Sequence, residues 1–111
     1  MRTLLLAAAA IATPSFAEDT TWLLPQPGIY CPVGRNVLPL QIDEAGGMGI
    51  DGLDCERVRL EGGKVRSQLC YSNGGHIFVY ETDLIVLPDG NMVHDGITFR
   101  RRRAGPPCPV G

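Results

Sequence analysis

Seven arginines are the residues whose types and spacing could best do chemistry. Arg57, Arg59 and Arg66 fall in one stretch, and Arg100, Arg101, Arg102 and Arg103 form an unbroken run. A guanidinium carries a planar fork of donors that can bond both oxygens of a carboxylate or phosphate at once. The chemistry implied is therefore recognition of an anion rather than bond making. The competing reading is solubility, since charged side chains on a sheet edge also block edge-to-edge association.

Other candidates are weaker. His76 and His94 stand near Glu81, Asp89 and Asp95 in the sequence, so a His–Asp base or a metal site can be imagined. Zinc needs three or four converging ligands, and nothing in the spacing converges. Ser67 and Ser72 lack the glycine-flanked elbow that exposes a reactive Oγ. Asp43-Glu44, Asp51 and Asp54 flank glycine turns, where acids bond the local backbone. The stretch Met48–Gly52 lacks the alternating oxygen ligands of a calcium loop. The reading is a protein without catalytic residues, metal or cofactor.

The elements that must position these residues follow from the rest of the chain. Residues 1–17 are read as a signal peptide, with Arg2 in the n-region, an apolar run from Leu4 to Ala12, and Ser15-Phe16-Ala17 at the cleavage site. That run is short of the roughly 20 residues needed to span a bilayer, so the expectation is export to the periplasm or beyond, with no membrane-spanning anchor. Removal of Arg2 leaves nine basic residues (ten less one) against twelve acidic ones. With export, this net negative charge argues against a nucleic-acid partner. Residues 18–27 are expected to form an extended arm with Trp22 tucked onto the domain, and residues 104–111 a Pro-rich tail.

Between them, residues 28–103 alternate short β-type runs with turn dipeptides. The runs are Gly28–Cys31, Val37–Ile42, Met48–Ile50, Cys55–Glu61, Lys64–Tyr71, His76–Glu81, Leu84–Leu87, Met92–His94 and Ile97–Arg102. The turns are Gly46-Gly47, Asp51-Gly52, Gly62-Gly63, Asn73-Gly74-Gly75, Asp89-Gly90 and Asp95-Gly96. No stretch shows helical periodicity. The fold class is all-β, a small antiparallel sandwich or barrel of short hairpins. A domain this small buries too little apolar surface to be comfortably stable alone, and in an oxidising compartment its four cysteines predict two disulfides.

One hairpin can be registered. A two-residue turn at Gly62-Gly63 sets Glu61 opposite Lys64, Leu60 opposite Val65, Arg59 opposite Arg66 and Cys55 opposite Cys70. This predicts a Cys55–Cys70 bridge, leaving Cys31–Cys108 to tie the first strand to the tail. Strict alternation puts Val58, Leu60, Val65 and Leu69 on one face, and Arg57, Arg59, Arg66 and Gln68 on the other with the two cysteines. The facing cysteines then fall at a hydrogen-bonded pair, with Cα atoms about 5.5 Å apart. A bulge near Cys55 would suit a disulfide better.

The segment Ser72-Asn73-Gly74-Gly75-His76-Ile77-Phe78 resembles the serine–glycine loop of the periplasmic inhibitors of C-type lysozyme, which are small disulfide-bonded β-barrels. The resemblance covers seven residues and would carry over only Ser72 and Gly75. The aromatic–Lys–Gly segment of that family is replaced here by Leu87-Pro88-Asp89-Gly90, so it does not place the chain in the family. The expected function is a non-catalytic binding or inhibitor module using loops and an arginine face against an envelope protein or an anionic glycan or lipid. The alternatives are an envelope-maintenance protein without a specific ligand, and an enzyme whose site the sequence does not reveal.

Overall fold

The computed structural model describes residues 24–109; the expected signal peptide and Trp22 lie outside them. Ten strands form: β1 (Gly28–Pro32), β2 (Leu40–Ile42), β3 (Met48–Ile50), β4 (Leu53–Glu56), β5 (Arg59–Glu61), β6 (Lys64–Tyr71), β7 (Ile77–Asp83), β8 (Ile85–Val86), β9 (Met92–His94) and β10 (Ile97–Arg101). They make one antiparallel sheet. β7 pairs with one side of β6; β5 and β4 share its other side, and β3, β2, β1, β10, β9 and β8 follow in order.

This order explains the curvature. β7 lies at one edge and β8 at the other, yet only Leu84 separates them in the chain. A flat sheet of this width cannot have its edges joined by one residue, so the sheet curls into a half-barrel. Inward-facing residues then gather into one core, with Tyr30, Leu40, Met48, Val58, Met92 and Phe99 almost wholly buried.

Local chemistry sets the corners. Three two-residue hairpins have both central residues at positive φ: Asp51 and Gly52 (52° and 79°), Gly62 and Gly63 (59° and 79°), and Asp95 and Gly96 (56° and 75°). That backbone twist matches the right-handed twist of the strands it joins. At the β2–β3 corner, the Asp43 carboxylate accepts from the backbone N–H groups of Ala45 and Gly47, both at 2.8 Å.

The registered hairpin holds: Glu61 faces Lys64, Leu60 faces Val65, Arg59 faces Arg66 and Cys55 faces Cys70. Both expected disulfides are present, Cys55–Cys70 and Cys31–Cys108. The expected run Cys55–Glu61 is, however, two strands. It breaks at Arg57, whose φ of 47° turns the chain, and at Val58, whose N–H donates instead to Gly46. Opposite the break, β6 bulges. Gln68 and Leu69 together span the space facing one residue of β7, and the buried Ser67 hydroxyl fixes the bend by donating to the Glu56 carbonyl (2.6 Å) and accepting from the Leu69 N–H (3.1 Å).

The paired irregularities correct the expected facing of the cysteines. The arginines stay outside, but the bulge reverses the alternation, so Cys55 and Cys70 enter the core with Val58 and Val65. Their Cα atoms stand 4.0 Å apart, nearer the separation of a non-hydrogen-bonded pair than the wider one expected. Strand bounds also shift: β2 starts only at Leu40, because the chain from Val33 to Pro39 is exposed.

Candidate functional site

The arginine run ends β10 and passes into the tail. Cys31 of β1 pairs with Arg100, Tyr30 pairs with Arg101, and the Arg102 N–H donates to the Ile29 carbonyl at 2.7 Å. The Cys31–Cys108 bridge draws the proline-rich tail back toward this strand pair. An open cleft of ≈ 730 Å³ results. Arg100 to Arg103 line it, together with Pro32, Val33, Pro107 and Pro109, and among the described residues no acidic one contributes to the lining.

The four arginines are not equivalent. The Arg101 guanidinium donates twice to the Pro27 carbonyl, at 2.8 and 3.2 Å, and lies across Gly28. A side chain at Gly28 would place its Cβ 3.0 Å from Arg101 Nε, on a backbone whose φ of +147° already favours glycine. Burial raises the pKa of the neighbouring Tyr30 hydroxyl, with Arg101 partly offsetting this; the hydroxyl donates to the Gln26 carbonyl at 2.6 Å. Arg101 thus pins the segment entering β1. Among the described residues, no side-chain acceptor holds Arg100, Arg102 or Arg103.

The other arginines sit elsewhere. Arg59 and Arg66 face each other across β5 and β6, and Arg57 occupies the break before β5. Arg66 makes an exposed ion pair with Glu81 at 3.1 Å. Glu61, Glu81 and Lys64 share the shallow depression beside Arg59 and Arg66, so this patch mixes both signs. Along the sheet, β4, β3, β2 and β1 intervene between β6 and β10. The seven sequence-selected arginines therefore form two groups.

His76 is exposed, with its carbonyl closing the Ser72–His76 turn. Ser72 and Gly75 take part in that hairpin turn through their backbones. His94 is buried, and its partners are not the sequence neighbours that seemed candidates. Its Nε2 lies 2.9 Å from Asp51 Oδ1, and its Nδ1 lies 2.8 Å from the Asp83 carbonyl and 3.6 Å from Asp83 Oδ1. Asp51 Oδ2 accepts from the Tyr80 hydroxyl at 2.6 Å. That bond, then burial and the nearby Asp51 charge, pushes the Tyr80 pKa up to about 12. Burial of the His94 ring opposes its charge, but the bonds to Asp51 and to the Asp83 carbonyl outweigh it and raise its pKa overall.

This network was missed because Asp51 reads as a turn acid and lies 43 residues from His94. The available signal was the alternation of β9, which turns Met92 and His94 inward together. Both ring nitrogens of His94 face acceptors within the protein, Asp51 and the Asp83 carbonyl. Among the described residues, no group of three or more His, Cys, Asp and Glu could hold a metal ion, and no helix is long and apolar enough to cross a membrane.

Compared with protein-family models, with curated proteins and with solved structures, the chain matches none.

Proposed function

We propose that this protein is an exported, non-catalytic binding module that holds an anionic partner in the cleft lined by Arg100–Arg103. Export rests on the signal-type composition of residues 1–17, and the binding role rests on the cleft. The observation that carries the reading is a local reversal of charge. The chain has a net charge of −2, yet four consecutive arginines line one cleft to which no acid among the described residues contributes. Among the described residues no side-chain acceptor holds three of the four, and Arg100 and Arg103 are exposed, so their forks are open to a ligand that supplies carboxylate or phosphate oxygens. Val33 and the tail prolines add an apolar wall, suited to an anion attached to an apolar or ring-bearing body.

The test compares the wild type with Arg100→Ser/Arg102→Ser/Arg103→Ser and with Arg57→Ser/Arg59→Ser/Arg66→Ser. Arg101 is kept because it pins the chain. Probes are vesicles containing anionic phospholipid, an immobilised anionic polysaccharide, and envelope extract. The expected result is retention on at least one probe, weakened by salt, reduced about tenfold or more by the cleft variant, and changed little by the hairpin variant, as loss of charge-assisted bonds worth about 1.5–3 kcal/mol each implies. Unchanged retention in a folded cleft variant, or no retention of the wild type on any probe, overturns the proposal.

A further inference from the structure

The hydrogen-bond partners of His94 constrain its protonation state. A backbone carbonyl can only accept, so Nδ1, 2.8 Å from the Asp83 oxygen, carries a proton. Nε2 faces a carboxylate oxygen of Asp51 whose other oxygen already accepts from Tyr80. With Asp51 ionised, only the doubly protonated imidazolium donates to both acceptors.

The partners of this cation belong to separate parts of the sheet. His94 closes β9, with β10, β1 and β2 between it and β3, at whose end Asp51 turns the chain. Tyr80 and Asp83 belong to β7, at the opposite edge from β8. Asp51 therefore receives Tyr80 from one side of the curl and His94 from the other, while His94 also holds the corner where β7 passes into β8. The Asp95 N–H strengthens the same corner by donating to Asp83 Oδ2 at 2.8 Å.

We infer that protonated His94 is the latch that holds one end of the half-barrel closed, and that its deprotonation releases the β7–β8 corner from Asp51. The groups facing the ring from each neighbouring element are Asp51 from the β3–β4 turn, Tyr80 and Asp83 from β7, Asp95 from its own turn, and Phe99 from β10, whose ring lies 6.3 Å away. Lys64 of β6 stands opposite Asp83 in the β6–β7 register. Once neutral, the ring turns a lone pair toward the Asp51 carboxylate, and attraction becomes repulsion. The upward shift of the His94 pKa fixes the direction. The latch is fully engaged below the unfolded value of about 6.5 and is lost as pH rises through the higher folded-state value.

The experiment is NMR on the oxidised protein. The His94 ring protons are titrated, and amide exchange is measured at about pH 6 and about pH 9, corrected for the intrinsic pH dependence of exchange. The expected result is a His94 midpoint above about 6.5 and a loss of protection of about tenfold or more at Asp95 and Leu84 on the alkaline side, with Ile42 and Met48 unchanged. Asp51→Asn should lower the His94 midpoint, and His94→Gln should make Asp95 and Leu84 protection independent of pH. Should His94→Gln fail to fold, the wild type and Asp51→Asn decide the matter. A wild-type midpoint at or below about 6.5, protection at Asp95 that survives deprotonation, or a midpoint unmoved by Asp51→Asn refutes the latch.

Discussion

The two disulfides should differ in what opens them and in what their loss costs. Cys31 and Cys108 are 77 residues apart, and Cys55 and Cys70 only 15. In the loop-entropy relation, these separations correspond to about 4.5 and about 3 kcal/mol of destabilisation of the unfolded chain. A domain of this kind holds only about 5–15 kcal/mol in total, so loss of the longer bridge alone would remove much of its stability. Access reinforces this order. Cys108 is only half-buried, whereas Cys55 and Cys70 lie in the core at 2% and 0% exposure. Graded reductant followed by thiol labelling and peptide mapping should therefore find Cys31 and Cys108 labelled first. Cys55 and Cys70 should follow only as the fold is lost. Urea unfolding of Cys31→Ala/Cys108→Ala should show a stability loss of about 4–5 kcal/mol, chiefly through the midpoint. A loss below about 2 kcal/mol, or labelling of Cys55 and Cys70 ahead of the other pair, would refute the reasoning.

Two further outcomes follow from single side chains. Ser67→Ala removes the hydroxyl that holds the β6 bulge and leaves the Leu69 N–H and one bond to the Glu56 carbonyl unmade; thermal or urea unfolding should show a loss of about 2 kcal/mol, and one under about 0.5 would mean the bulge holds without it. The phenolate absorbance of Tyr80, identified by its loss in Tyr80→Phe, should appear only near its raised value of about 12, and Asp51→Asn should bring it down. Because the folded-state value lies above the ordinary 10.0, the stability from this bond is complete below that pH and fades as pH climbs toward 12.

What could be read from the residues was whatever adjacent positions determine. Gly62-Gly63 and the cysteine spacing fixed a register, and with it both bridges, because a tight turn allows few offsets. The break at Arg57 and the bulge at Ser67 escaped. They occur together, so the register counts correctly across them while the faces exchange; only the core contacts of Cys55 and Cys70 reveal it. The latch escaped for a different reason. His94, Asp51 and Tyr80 meet only because the sheet curls, and no short-range pattern records which turn will stand beneath which strand. The arginine run was visible as composition, but its division from Arg57, Arg59 and Arg66 depends on strand order, which the hairpin alone does not determine.

The pairing of β1 with β10 has a consequence for the order in which the chain becomes available. Synthesis delivers β1 first and its neighbour β10 last, so under the proposed export Cys31 would reach an oxidising compartment ahead of Cys108. Cys55 would follow while Cys31 still lacked its partner, and a wrong bond between the two would then be chemically open. The tight Gly62-Gly63 turn would shorten that interval, because it sets Cys70 opposite Cys55 as soon as β6 pairs and so leaves Cys31 its true partner.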